Sequence, residues 1–204
     1  MEFADVVSRR RMVRHYVDEP VDEGFLRRAL THATRAPSAG FTQGWSFLLL
    51  RTPADVARFW ESTGASSRSN PWLDGMRTAP AIVVVLASEA AYRGRYAEGD
   101  KDGARQRSAE MPWWQIDAAM AALLILQTAT DEGFGACFFG VPAAGVADLR
   151  RSFGIPDDFA PIGAITLGRP APVPASGSPT RRRRRPLADV VHDGRWGARF
   201  GEPL

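Results

Sequence analysis

Two arginine clusters stand at opposite ends of the 204-residue chain, Arg9-Arg10-Arg11 with Arg14, and Arg181 to Arg185. A guanidinium fork matches phosphate oxygens two at a time, so clusters flanking one core could converge on a single phosphate. Taken alone, either run is more often a solvated charge face. Four tryptophans, Trp45, Trp72, Trp113 and Trp114, together with loops of small residues, could hold a flat ring. The usual catalytic groups are missing. His15, His32 and His192 are far apart and show no metal-ligand spacing, so no metal site is expected. The sequence has no Gly-X-Ser-X-Gly elbow, no carboxylate pair that stands out, and no glycine-rich loop of the Walker or dinucleotide type. The single Cys137 excludes an intramolecular disulfide and a cysteine-cluster metal site, and reads as a small buried hydrophobe. A phosphate and a planar ring without a catalytic side chain point to a bound cofactor that does the chemistry itself.

The elements that must position these groups follow from patterning. Trp113 to Gly135 centres on AAMAALLIL, apolar at every position from Ala118 to Leu126 and free of β-branched runs, which predicts a helix. A helix apolar all round must be buried on all sides, as the spine of one domain or as half of a subunit interface. The run is shorter than the roughly 20 residues that span a bilayer. Gly133 and Gly135 end it ahead of a short strand, 136–139. A short helix is expected over 2–11, an extended stretch up to Pro20, and a helix capped by Asp22 that Pro37 stops. RAPSAGFTQG reads as a loop leading into a strand at 45–51, and Pro53 opens another helix. The run AIVVVLA at 81–87 does not alternate and predicts a strand buried on both faces. Residues 88–112 are charged and poor in apolar groups, which predicts a mobile lid. A turn and helix at 142–153, a strand at 162–167 and a Pro-rich tether at 170–185 follow. Helices and about four strands alternate, giving an α/β or α+β sandwich with helices covering a central sheet.

Composition limits the remaining choices. With 45% hydrophobic and 24% charged residues this is an ordinary globular composition, long enough for a sizeable core. The formal charge is +3, but removing the five arginines at 181–185 from the 26 basic residues leaves 21 against 23 acidic ones. No broad basic face for nucleic acid is implied. The opening MEFADVVSRRR carries no apolar run with a cleavage site, so no signal peptide, no membrane anchor and a cytoplasmic location are expected.

Four motifs carry a resemblance. RRMVRHYVDEPV resembles the opening of the FMN-dependent nitroreductase family, Arg-Arg-Ser-X-Arg followed by an aromatic residue. APSAGFTQGWSFLLL resembles its second signature, Pro-Ser leading to Gln-X-Trp and a strand. EGFGACFFG followed by Pro142-Ala-Ala-Gly145 is similar to its third, and RRRRRPLADVVH to its C-terminal basic segment. They occur in the family's order and span nearly the whole chain, which reads as one domain over 1–204, with a lid at 88–112 and a C-terminal extension at 170–204.

The resemblance implies a nitroreductase-like sandwich, a mostly antiparallel sheet flanked by helices, homodimeric around the long central helix with FMN at the subunit interface. It places Arg10, Arg11, Met12 and Arg14 on the FMN phosphate and ribityl–pyrimidine side, and Arg182 and Arg184 on the same phosphate. Pro37, Ser38 and Ala39 fall in the loop that reaches a flavin held mainly by the other subunit. Ala144 and Gly145, in the turn opened by Pro142, lie where a backbone N–H points at flavin N5, with the Gly145 backbone placed near N5. Trp113 and Trp114 are candidates to stack on substrate, with interface packing as the other reading. Phe41 stands where many members have Asn, beside flavin or substrate, and Met12 replaces the usual Ser, leaving only its backbone N–H to contribute. The implied activity is transfer of a hydride from NADH or NADPH through FMN to a nitroaromatic, quinone or related small acceptor by a ping-pong cycle. A flavin-fragmenting enzyme of the 5,6-dimethylbenzimidazole synthase type ranks second, because Met12 cannot supply that branch's acidic residue. A non-catalytic flavin-binding or nucleic-acid-binding protein is the remaining alternative.

Overall fold

A computed structural model describes residues 1–101, 111–173 and 181–200. The chain divides into a unit formed by Met1–Ala171 and a smaller one formed by Pro172–Leu204.

The first unit is built on a four-stranded sheet of β1 (Trp45–Leu50), β2 (Ala81–Ala87), β3 (Gly135–Phe139) and β4 (Ala160–Gly168). Their order is β1-β2-β4-β3 and every pairing is antiparallel. The expected two-sided strand is β2, buried at all seven positions. Its β-branched and apolar side chains alternate between two cores. Ala81, Val83, Val85 and Ala87 enter one; Ile82, Val84 and Leu86 enter the other.

The first core lies under α2 (Glu23–Ala33) and the long helix α6 (Trp113–Asp131). Asp22 caps α2 by accepting from the Phe25 N–H at 2.6 Å, as its position before the apolar periodicity suggests. The two helices are tied by Arg28 on Glu132 (2.6 and 2.9 Å), by His32 on Thr128 (2.8 Å), and by a Phe25–Phe134 ring stack at 4.0 Å. Gly133, at φ +75°, takes the left-handed step that ends α6 and turns the chain into β3. The second core lies under α3 (Pro53–Ser62), α4 (Pro71–Met76) and α7 (Val146–Phe153). Helix α1 (Phe3–Arg9) buries Val6 but leaves Phe3 and Val7 exposed.

The spine helix departs from expectation in one respect. Asp117, Ala118, Ala121, Ala122, Ile125, Leu126 and Ala129 are buried, but Ala119 and Leu123 are exposed and Ile116, Met120 and Leu124 only half-buried. In the single chain, α6 is therefore covered on one side and carries an open apolar stripe on the other.

The stretch expected as a lid is described only in part. Ser88 caps a helix, α5 (Glu89–Arg95), whose Tyr92 is 2% exposed. The buried Tyr92 and the Arg95 bond to Gly40 dock this helix; the remaining lid positions, 102–110, lie outside the described residues. Helix α4 was also hidden, because SSRSNP reads as a loop until Asn70 is recognised as a cap and Pro71 as a first-turn proline.

In the smaller unit, Arg181 to Arg185 are exposed and precede a helical turn at Leu187–Asp189, whose Asp189 carbonyl accepts from the Arg185 guanidinium at 2.5 Å. The Pro-rich tether expected at 170–185 falls largely on 174–180, outside the described residues.

Candidate functional site

The N-terminal arginine segment is fixed to the edge of the sheet. Met12 bridges Ala136 in parallel, and the Val13 N–H donates to the Ala136 carbonyl at 2.9 Å. Tyr16, 4% exposed, pins the segment from inside. Its O–H donates to the Val13 carbonyl at 2.6 Å and shares a hydrogen bond with Thr166 Oγ1 at 2.8 Å. Burial pushes the Tyr16 phenol far above its ordinary range, so it stays neutral. On the other side, α4 comes so close that a Cβ on Gly75 would meet the Arg14 carbonyl oxygen at 2.4 Å. Neither Tyr16 nor α4 was singled out from the sequence, although the aromatic after Arg14 belongs to the motif.

Held this way, Arg14 is half-buried with its Nε out of solvent and without a hydrogen-bond partner. It lies beside the Cys137 thiol, whose pKa burial raises and Arg14 opposes. Among the described residues, Arg10, Arg11 and Arg14 form no ion pair. A buried donor left unmatched is costly, and an anionic oxygen would satisfy it.

The turn after β3 is the second part. Ala143–Gly145 is a single 3-10 turn leading into α7. Gly145 is buried, and a Cβ there would meet the Thr63 backbone at 2.9 Å, so the turn packs flat against the end of α3. The Gly145 N–H donates to the Pro142 carbonyl at 2.9 Å. Ala144, one residue earlier, is exposed and carries an amide that the turn itself does not use. Near this turn Phe139 stacks on Trp60 at 5.6 Å and meets the edge of Trp72 at 5.8 Å.

The third part is the loop after α2. Pro37 is exposed, and Ser38 and Ala39 are half-buried. The Ala39 N–H donates to Asp117 Oδ2 at 2.7 Å, and the same oxygen accepts from the Tyr92 O–H, also at 2.7 Å. Burial and this carboxylate push the Tyr92 phenol up to about 12. Phe41 is 79% exposed. Trp113 and Trp114 open α6 and are half-buried; Trp114 packs on the first core, and Trp113 sits one turn before Asp117 on the same helical face. Arg182 and Arg184 are exposed in the smaller unit.

No group of His, Cys, Asp or Glu among the described residues could hold a metal ion, and no helix among them is long and apolar enough to cross a membrane.

The family model described as the nitroreductase family matches residues 7–169, four-fifths of the sequence. The chain belongs to the nitroreductase family. A Methanothermobacter thermautotrophicus protein with the provisional name NADH dehydrogenase/NAD(P)H nitroreductase is 26% identical over 179 residues, 86% of this chain and 81% of the relative. An NADPH-dependent oxidoreductase of Staphylococcus aureus is 24% identical over 198 residues, 95% of this chain and 74% of the relative. Among solved structures, Bacillus megaterium NfrA1 superposes with a TM-score of 0.75 at 19% identity, covering 96% of this chain and 75% of that one. This nitroreductase-family chain is accordingly an oxidoreductase of the general flavin-dependent kind, with the nitroreductase fold.

Proposed function

We propose that this protein is an FMN oxidoreductase that acts on small, planar electron acceptors. The observation that carries the reading is the buried, unmatched Nε of Arg14, on the same segment as Arg10 and Arg11, which form no ion pair among the described residues. That donor set fits a phosphate-bearing cofactor. Bound FMN would supply the redox chemistry, accepting a hydride from NADH or NADPH and reducing a nitroaromatic, quinone or related acceptor in a ping-pong cycle.

The chain's own residues bind and orient. Arg10, Arg11 and Arg14, with the Met12 backbone, neutralise the phosphate and the ribityl–pyrimidine side. Nearby cations there favour negative charge that develops on the bound ring. Arg182 and Arg184 lie in the smaller unit, and their proposed phosphate role rests on the sequence resemblance alone. In the turn Pro142–Gly145, the Ala144 N–H is the amide assigned to N5, because Gly145 uses its own on Pro142. Pro37, Ser38 and Ala39 reach the flavin held mainly by the other subunit, and Trp113 and Trp114, with Phe41, stand on the acceptor side.

The open stripe on α6 supports a homodimer, since Leu123 at 44% exposure on a central helix is otherwise an apolar liability. Leu123→Glu is expected to convert the protein to a monomer on size exclusion with light scattering; a wild-type monomer would end the dimer reading. The test of function is an absorbance spectrum of purified protein, recorded before and after anaerobic NADH and then NADPH. Flavin bands that bleach support the enzyme and identify its donor. A colourless protein that takes up no added FMN refutes it.

A further inference from the structure

Phe41 violates two preferences at once. Its backbone lies at φ +54°, in the left-handed region that a phenylalanine rarely adopts, and its ring is 79% exposed. Gln43 is also left-handed, at φ +53°, beside Gly40 at +62°. Such geometry persists only where the surroundings over-determine it.

Here they do. Asp117, 2% exposed, holds the Ala39 N–H and the Tyr92 O–H on a single oxygen. Ser38 Oγ accepts from the Gln43 N–H at 2.7 Å and lies 3.3 Å from the Tyr92 hydroxyl, closing the loop on itself. Arg95 Nε donates to the Gly40 carbonyl at 2.9 Å, while its Nη atoms grip Asp100 at 2.7 and 2.8 Å. Gly44 completes the seat, because a Cβ there would meet the Tyr92 ring at 2.5 Å. Every contact bears on the backbone around Phe41; none of them touches its ring. The loop backbone is held while Phe41 itself stays open to solvent.

We propose that Asp117 is a positioning residue which, with Tyr92 and Arg95, locks loop 38–43 so that Phe41 is presented as an aromatic wall for a planar electron acceptor. The proposal rests on the flavin-oxidoreductase reading and adds a specificity determinant to it.

The experiment uses the full-length protein loaded with FMN. Steady-state kcat/KM is measured with menadione, a planar quinone, and with ferricyanide, which has no ring to stack. Phe41→Leu is expected to lower the menadione-to-ferricyanide ratio by about threefold to tenfold, the range for one lost aromatic contact. Tyr92→Phe and Asp117→Ala are expected to lower it in the same direction, chiefly through KM for menadione. Asp117→Ala with Phe41→Leu is expected to be no worse than the stronger single variant, because both act through one ring. Amide hydrogen exchange over 38–43, which needs no turnover, is expected to rise in Asp117→Ala and Tyr92→Phe and to stay at the wild-type level in Phe41→Leu.

An additive double variant, or an unchanged ratio in Phe41→Leu, overturns the proposal. So does a Phe41→Leu protein whose only change is weaker dimerisation, which would make the ring an interface anchor. If Asp117→Ala fails to fold, Tyr92→Phe decides, since it removes one hydroxyl only. Wild-type protein that takes up FMN and reduces both acceptors while the variants behave alike defeats the Phe41 proposal alone. Wild type that takes up no FMN defeats the oxidoreductase reading as well.

Discussion

Two polar regions of this protein are built on opposite plans. Around loop 38–43 the buried carboxylate of Asp117 is matched by the Ala39 N–H and the Tyr92 hydroxyl, and Arg95 is shared between Gly40 and Asp100. Around Arg10 to Arg14, donors outnumber acceptors, and the Nε of Arg14 is buried with nothing to bond. The first region is complete without a ligand, as a surface that shapes something else must be. The second leaves a buried donor open, which is why it is proposed to hold an anionic ligand. A satisfied network fits a positioning role, and open donors beside a charged segment fit the proposed anion site.

The largest expected effect lies in the incomplete region. Arg10→Ala with Arg14→Ala removes two charge-assisted contacts of about 1.5–3 kcal/mol each. The FMN dissociation constant should rise at least about a hundredfold, measured by flavin fluorescence on titration. Because neither arginine is ion-paired among the described residues, thermal stability without FMN should hardly change. Unchanged flavin content would refute the site.

The complete region should respond in the opposite sense. Asp117→Ala removes the acceptor shared by the half-buried Ala39 N–H and the buried Tyr92 hydroxyl, and should cost about 2–4 kcal/mol in urea unfolding whether or not FMN is present. A smaller effect is expected at Tyr16, where Phe would forfeit the bonds to Val13 and Thr166. About 1 kcal/mol of stability should be lost, with only a modest weakening of FMN binding, because the arginine segment loses its anchor and keeps its charges.

The smallest effect separates an ordinary ion pair from both regions. Arg28 lowers the Glu132 carboxyl below its ordinary 4.5. A depressed carboxyl contributes stability that is present above its unfolded pKa and lost as pH falls through the folded one. Glu132→Gln should therefore flatten the acid side of the stability curve below about pH 4.5, and only slightly, since the pair is largely solvated.

Much of the architecture was legible in the sequence because it rests on patterns of period 2 and 3.6. AIVVVLA gave the two-sided strand, Asp22 the cap of α2, and AAMAALLIL the central helix. The open stripe on that helix was not legible, since an all-apolar helix looks the same whether its cover is this chain or another. Helix α4 is only six residues and has no periodicity to read. Helix α5 was lost in its charges, among which Tyr92 is buried and Arg95 holds the Gly40 carbonyl. At the site, the arginine segment could be read from its types, because guanidinium chemistry does not depend on the neighbours. The Asp117 clamp could not. A lone Asp in an apolar helix shows nothing of the amide that will meet it from residue 39, and left-handed backbone at Phe41 and Gln43 is not written in those residue types.

Gly44 gives the loop a lever that lies outside the site. It touches no proposed ligand, yet only a hydrogen atom fits between its backbone and the Tyr92 ring. Any larger residue there would dislodge Tyr92 and, through it, the orientation of Phe41. Divergence of acceptor preference within this lineage could therefore begin at a position that no survey of ligand contacts would flag, and a mutant library aimed at new acceptors should include residue 44.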